Sequence, residues 1–190
     1  VLGHELAHIK HRDMAFITLL SAIPMLLYWL AWQFMWGGMF RNNREGGSYT
    51  VLIGLAAMLL YFITNLLVLY GSRIREYYAD KGSVKMGNQP HHLASALYKL
   101  VAGDARFKGR PEMKRVEGMK AFFLNNPSHA WNEVREIAHI DDNRDGRISQ
   151  DELMSLRQKK VKLGFGDKMM EIFTTHPNTL KRIQILSSYT

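Results

Sequence analysis

The sequence predicts a mostly α-helical protein, a two-span transmembrane hairpin joined to a helical region that holds metal. Three observations predict it. Residues 14–36 and 51–70 carry no formally charged side chain. A His-Glu-Leu-Ala-His stretch, His4 to His8, precedes the first, and a pair of carboxylates, Glu76 and Asp80, follows the second. A twelve-residue Asp/Asn/Gly loop fills positions 141–152.

Composition sets the bounds. The 190 residues suffice for one or two domains, and the absence of cysteine excludes disulfides, thiolate metal sites, iron–sulfur clusters and a cysteine nucleophile. The chain has 25 Lys+Arg against 17 Asp+Glu, a net charge of +8. Its cations do not gather with aromatic partners or within a nucleic-acid motif, so no nucleic-acid partner is expected; Lys and Arg beside a membrane reflect topology and anionic headgroups. A mean hydropathy of −0.18 conceals the spans, because the apolar residues crowd into the first 70 positions. A start at Val1, directly in a helical motif, is what a fragment lacking its N-terminal part would show.

Residues 1–13 form the first expected segment. His4 and His8 are spaced i, i+4, which puts both imidazoles on one helical face where they can share a metal ion. Imidazole ligands suit zinc. Glu5, beside the first histidine, is placed to polarise water rather than to ligate. An amphipathic helix with two surface histidines is the alternative.

The spans come next, residues 14–36 and 51–70, joined by a loop at 37–50. A bilayer core of about 30 Å needs roughly 20 apolar residues at about 1.5 Å each, so both are long enough. Pro24 would kink the first without preventing it from spanning. Tyr28, Trp29, Trp32, Trp36, Tyr61 and Tyr70 are amphipathic, and those near the segment ends suit the headgroup level. Arg41 and Arg44 lie in the loop, whereas Lys10, Arg12, Arg73, Arg75, Lys81 and Lys85 lie on the outer flanks. By the positive-inside rule both outer flanks face the cytoplasm. The hairpin then returns the chain to its starting face, so residues near positions 8 and 76 can meet. The alternative is a pair of buried helices in a soluble bundle.

In the next segment, 71–127, Glu76 and Asp80 share a helical face. Glu76 can supply the third metal position, and Asp80 can accept a proton from the far nitrogen of a ligand histidine, fixing its tautomer. The alternative is a solvated face with ion pairs. Leu93, Ala96/Leu97 and Leu100/Val101 mark a further amphipathic helix. Its adjacent His91 and His92 do not share a face and read as surface residues. Residues 104–119 mix charge with Gly and Pro and read as a loop or mobile connection.

Residues 128–160 hold the loop, which fits the calcium-binding EF-hand pattern. Asp141, Asn143, Asp145 and Glu152 would offer side-chain oxygens, Arg147 its carbonyl and Ser149 a bridging water. Gly146 would make the sharp turn, with Ile148 at the usual apolar position. Val134, Ile137 and Ile140 before it, and Leu153 and Leu156 after it, suggest flanking helices. The alternative is a polar turn between two helices. Calcium there would order the segment and through it the approach to the metal cleft. His129 and His139 receive no role. Residues 161–190 complete the soluble region.

The motifs GHELAHIKHRD, then two apolar spans, then SRIREYYAD, resemble the HtpX-type integral-membrane zinc metalloproteases, a glutamate-zincin family that includes the CAAX prenyl proteases. Thr175-His176-Pro177 followed by Lys181-Arg182-Ile183 resembles that family's THP…RI segment. The likeness covers roughly 1–125 and 160–187, which makes 128–160 an EF-hand-like insertion in a zincin-like region. It implies His4, His8 and Glu76 as ligands of one zinc ion, Glu5 as general base and Asp80 behind the ligands. It implies His176 and Arg182 near the cleft, as donors to the transition state or substrate or in a structural role. Two further spans ahead of Val1 are also implied. So are polypeptide substrates, misfolded or damaged membrane proteins, and a plasma (inner) membrane location with the site on the cytoplasmic side. The other readings are a CAAX-type prenyl protease, a non-catalytic membrane calcium sensor and an interfacial structural protein.

Overall fold

The computed structural model describes residues 1–40, 47–107, 137, 139–158 and 164–190. Arg41, Arg44, residues 108–127, Val134 and His129 of the expectations above lie outside them. All regular structure among the described residues is helical: α1 (Leu2–Lys10), α2 (Asp13–Phe40), α3 (Gly47–Lys85), α4 (Pro90–Phe107), α5 (Gln150–Gln158), α6 (Phe165–Ile172) and α7 (Thr179–Ser187). The chain divides into two compact units, His11–Ser72, and Val1–Lys10 with Arg73–Thr190.

The first unit holds α2 and the apolar part of α3. Both helices are long and apolar enough to cross a membrane, and only 11% and 6% of their most apolar windows are buried. Leu19, Met25, Leu26, Trp29, Leu55, Leu59 and Leu67 all point outward. Core helices of a soluble bundle would bury such faces, whereas a lipid environment solvates them. The helices touch through small residues, with Ala31 and Ala57 buried. At Gly54 a Cβ would lie 2.6 Å from Met35 Cγ, a close approach that only glycine permits here. The polar side chains bond back to their own helix: Ser21 donates to the Ile17 carbonyl at 2.7 Å, Thr64 to Leu60 at 2.8 Å and Asn65 to Tyr61 at 2.8 Å. No bilayer water is needed to satisfy them. Pro24 lies inside α2, which remains helical on both sides.

Both helices outrun the charge-free stretches. α3 runs on beyond Tyr70 to Lys85 without a break, because Arg, Glu, Ala and Lys propagate a helix as well as leucine does. It stops where Gly87 takes a φ of +93° and donates its N–H to the Val84 carbonyl, a left-handed cap that glycine favours.

The second unit has one apolar core. Leu93, Ala94, Leu97 and Val101 of α4, Leu153 and Leu156 of α5, and Leu180, Ile183 and Leu186 of α7 fill it with Ile137, Ile140 and Ile148. α7 packs against both α4 and α5. One expected core residue is misplaced: Leu100 is 60% exposed, because the buried stripe of α4 centres between Ala94 and Leu97 and leaves Leu100 at its edge. Asn178 caps α7, its side chain accepting the Leu180 N–H at 2.9 Å.

Candidate metal centre

Within the second unit, α1 lies along the polar end of α3, and small residues allow it. Ala7, Ala79 and Ser83 are fully buried. A Cβ on Gly3 would stand 2.0 Å from Asn88 Nδ2 and 2.9 Å from Ser83 Oγ, so with glycine there the helix seats against these side chains without their moving. Ala7 and His4 form the buried face of α1, and His4 thereby reaches Glu76 and Asp80.

The three side chains singled out by spacing converge. His4 Nε2 and His8 Nε2 are 3.1 Å apart, His4 Nε2 and Glu76 Oε2 3.6 Å, and His8 Nε2 and Glu76 Oε1 3.7 Å. An ion held about 2.0–2.2 Å from each of three tetrahedral ligands separates them by about 3.3–3.6 Å, close to these separations, which involve one or the other Glu76 oxygen. The donor set, two imidazoles and a carboxylate, is one that zinc accepts with a fourth position open. Glu5 is exposed on α1 beside this triangle, where water reaches it.

Behind the triangle lies a buried ion-pair network. Asp80, 1% exposed, accepts Arg182 Nε–H at 2.8 Å and Nη2–H at 2.7 Å, and its Oδ1 is 2.9 Å from His4 Nδ1. That contact favours a proton on Nδ1, and Nε2 faces His8 and Glu76. Arg182 Nη1 also reaches Glu76 Oε2 at 3.0 Å, and His176 Nδ1 stands 3.4 Å from Glu76 Oε1.

Charge follows from this packing. Burial alone would depress His4, but hydrogen bonds to Asp80 and Glu76 outweigh it and push His4 up to about 9 without a metal. Burial would raise Glu76, yet His176, His4 and Arg182 hold its carboxyl well below the usual range. Burial and the neighbouring His4 push His8 down. Arg182 is raised despite its burial, by Asp80 first. Glu76 is thus ionised and His8 neutral near pH 7, whereas His4 keeps a second proton that a bound cation would have to displace.

Arg182, expected either as a donor or as a structural group, is buried with its guanidinium engaged by two carboxylates, which favours the structural role. Its link to Asp80, across 102 positions, has no signal in local spacing. A second buried arginine, Arg73, in sequence a basic residue on the outer flank of the hairpin, bonds three main-chain carbonyls near His176.

The expected calcium ligands also lie together. Asp141 accepts the N–H of Asp145 at 3.1 Å and of Gly146 at 2.9 Å, and Asp145 Oδ1 accepts Arg147 N–H at 2.7 Å. Asn143 Oδ1 accepts Asp145 N–H at 2.9 Å, and Glu152 accepts Asp142 N–H at 3.0 Å and Ser149 N–H at 2.8 Å. Gly146 has a φ of +78°. The N–H and carbonyl of Ile148 both bond the Ser95 hydroxyl of α4, at 2.8 and 2.9 Å.

The sequence profile of Peptidase family M48 matches residues 1–190, running through 128–160 as well as both sides of it. The chain belongs to that family. Membership implies a metallopeptidase metal, typically zinc, and the His4/His8/Glu76 triangle is where the described residues could hold one. "Protease HtpX homolog" of Methanothermobacter thermautotrophicus is 51% identical over 116 residues, 60% of this chain and 42% of that protein. "Protease HtpX homolog 2" of Methanosarcina acetivorans is 34% identical over 184 residues, 96% of this chain and 50% of that one. "Protease HtpX homolog" of Moorella thermoacetica is 33% identical over 189 residues, 98% and 51% respectively. The resemblance to the HtpX type is borne out. The chain spans about half the length of the curated relatives it matches. No solved structure matches it significantly.

Proposed function

We propose that this chain carries the catalytic centre of a membrane zinc endopeptidase of HtpX type. The observation that carries the reading is the His4/His8/Glu76 triangle, with edges near those of a zinc tetrahedron and Asp80 behind it. Zinc held there would supply Lewis acidity toward the scissile carbonyl and make water acidic near neutral pH. Glu5 takes the proton from the attacking water and returns it to the leaving amine. His176, on the rim beside Glu76, donates toward the oxygen that gains charge. Asp80 and Arg182 hold His4 and Glu76 in place.

The substrates in this reading are misfolded or damaged membrane proteins. The site faces the cytoplasm from a plasma (inner) membrane, in line with the basic outer flanks of the hairpin. The HtpX names of the relatives favour this over a CAAX-type prenyl protease. Asp141, Asn143, Asp145, Arg147, Ser149 and Glu152 would bind calcium, a reading supported by the order of the ligand types and the left-handed Gly146. A non-catalytic calcium sensor would keep that loop without needing Glu5.

The test uses the full-length protein in detergent, loaded with zinc, on an unfolded test protein. Glu5→Gln abolishes turnover while zinc content stays equal to wild type. Equal activity in the two proteins, or no zinc in either, sinks the reading. Calcium titration followed by melting checks the loop, and an unchanged melting temperature removes calcium from the account.

A further inference from the structure

Arg73 precedes Glu76 by three residues on α3, on the same side of the helix. Its side chain is buried, and a single nitrogen, Nη1, lies 2.7 Å from the Glu171 carbonyl, 3.0 Å from Ile172 and 2.8 Å from Thr174. The Glu171 and Ile172 carbonyls end α6 and that of Thr174 lies two residues beyond it, at the helix terminus whose dipole favours a cation. The turn that follows is closed on itself. Thr174 Oγ1 lies 2.8 Å from the His176 carbonyl and 3.0 Å from that of Glu171. The Glu171 carboxylate pairs with Lys181 and accepts the Asn178 N–H at 3.4 Å. His176 rides on this turn and ends 3.4 Å from Glu76.

We propose that Arg73 is a positioning residue: it hangs the turn bearing His176 from the same helix that carries Glu76, and so fixes the distance between the two. One rigid helix then serves as the common reference for the metal-facing carboxylate and for the group aimed at the developing negative charge. This rests on the protease reading, with His176 acting at the site. A displacement of about 1 Å in such a group is enough to cost orders of magnitude in rate. Lysine is the informative replacement, because its ammonium also presents several protons from one nitrogen, whereas methionine keeps the bulk and loses the donors.

The experiment uses full-length zinc-loaded protein with Arg73→Met, Arg73→Lys, His176→Ala and the double variant Arg73→Met/His176→Ala. Arg73→Met is expected to lower kcat about tenfold or more, with KM and zinc content unchanged, and Arg73→Lys to recover a substantial part. In the His176→Ala background Arg73→Met should add nothing, because the group it positions is gone. Carbethoxylation of His176, followed by mass spectrometry, reads the same relation without turnover: its rate should change several-fold in Arg73→Met and return toward wild type in Arg73→Lys. Independent, multiplying losses in the double variant, or an unaltered His176 reaction rate, overturns the proposal. If wild type and Glu5→Gln are equally inactive, the protease reading fails, and the His176 reaction rate still decides whether Arg73 positions that side chain. Should Arg73→Met unfold, Arg73→Lys carries both readouts, and wild-type values of kcat and His176 reactivity despite the shorter reach overturn the proposal.

Discussion

Asp80 is a single carboxylate shared between His4 and Arg182, and it is almost wholly buried. Replacing it with asparagine keeps the shape but removes the charge. Asp80→Asn is expected to weaken zinc binding about 10–100-fold, the usual cost of losing a ligand's hydrogen-bond partner. It also leaves Arg182 with one carboxylate instead of two, and stability should fall by about 3–5 kcal/mol, as when a buried pair is broken. Competition titration with a zinc chelator and thermal unfolding measure the two effects separately; unchanged zinc affinity would remove Asp80 from the centre. Arg182→Lys keeps the charge but not the fork that spans both carboxylates, so it should also destabilise. At this scale the local half of the site was legible. The four-residue spacings of His4/His8 and Glu76/Asp80 display their shared faces in the sequence. The pairing of Arg182 with Asp80 and of Arg73 with the turn before His176 depends on how the helices pack, which no short-range pattern encodes.

Helices meet closely where their contact residues are small, and α1 meets α3 at Gly3 and Ala7. Gly3→Ala would drive a methyl group into the Asn88 amide, which itself donates to the Ser83 carbonyl at 3.1 Å. Because the exposed Asn88 side chain can swing aside at the cost of that hydrogen bond, the expected outcome is a loss of about 1 kcal/mol, together with weaker zinc binding. Gly103→Ala on α4 is the contrast, with nothing within 4 Å of the new Cβ. It should be neutral or stabilise by up to about 1 kcal/mol, with zinc binding unchanged. Paired melting curves and zinc titrations check both. The apolar helices themselves were legible because charge is costly in hydrocarbon and its absence over 20 residues is conspicuous. Their ends were not, because backbone helicity does not stop where hydrophobicity does, as α3 shows by continuing to Lys85. The face of α4 was nearly right, with Leu100 mistaken for core because it sits at the margin of the buried stripe.

For the whole molecule, the candidate ligands come from the two ends of a long sequence excursion, His4 and His8 from α1 and Glu76 from α3. A metal that binds only the folded arrangement stabilises it by mass action. Zinc removal should therefore lower the melting temperature by several degrees, and readdition should restore it. Glu5→Gln should show the same shift as wild type, because Glu5 is not a ligand in this reading. An identical melting curve with and without zinc would contradict the assignment of the triangle. The general architecture, apolar hairpin and polar helical unit, was legible from hydropathy alone. The core that joins α4, α5 and α7 was not, since it depends on which amphipathic faces choose one another.

The clamp on Asp80 has a consequence for the newborn chain. A ribosome that has delivered α1 and α3 has already made His4, His8, Glu76 and Glu5, but not the arginine on α7 that bridges Asp80 and Glu76. Until residue 182 has emerged and folded back, the candidate ligands lack that bridge. In the protease reading, the centre is therefore framed only after α7 has been made and has packed.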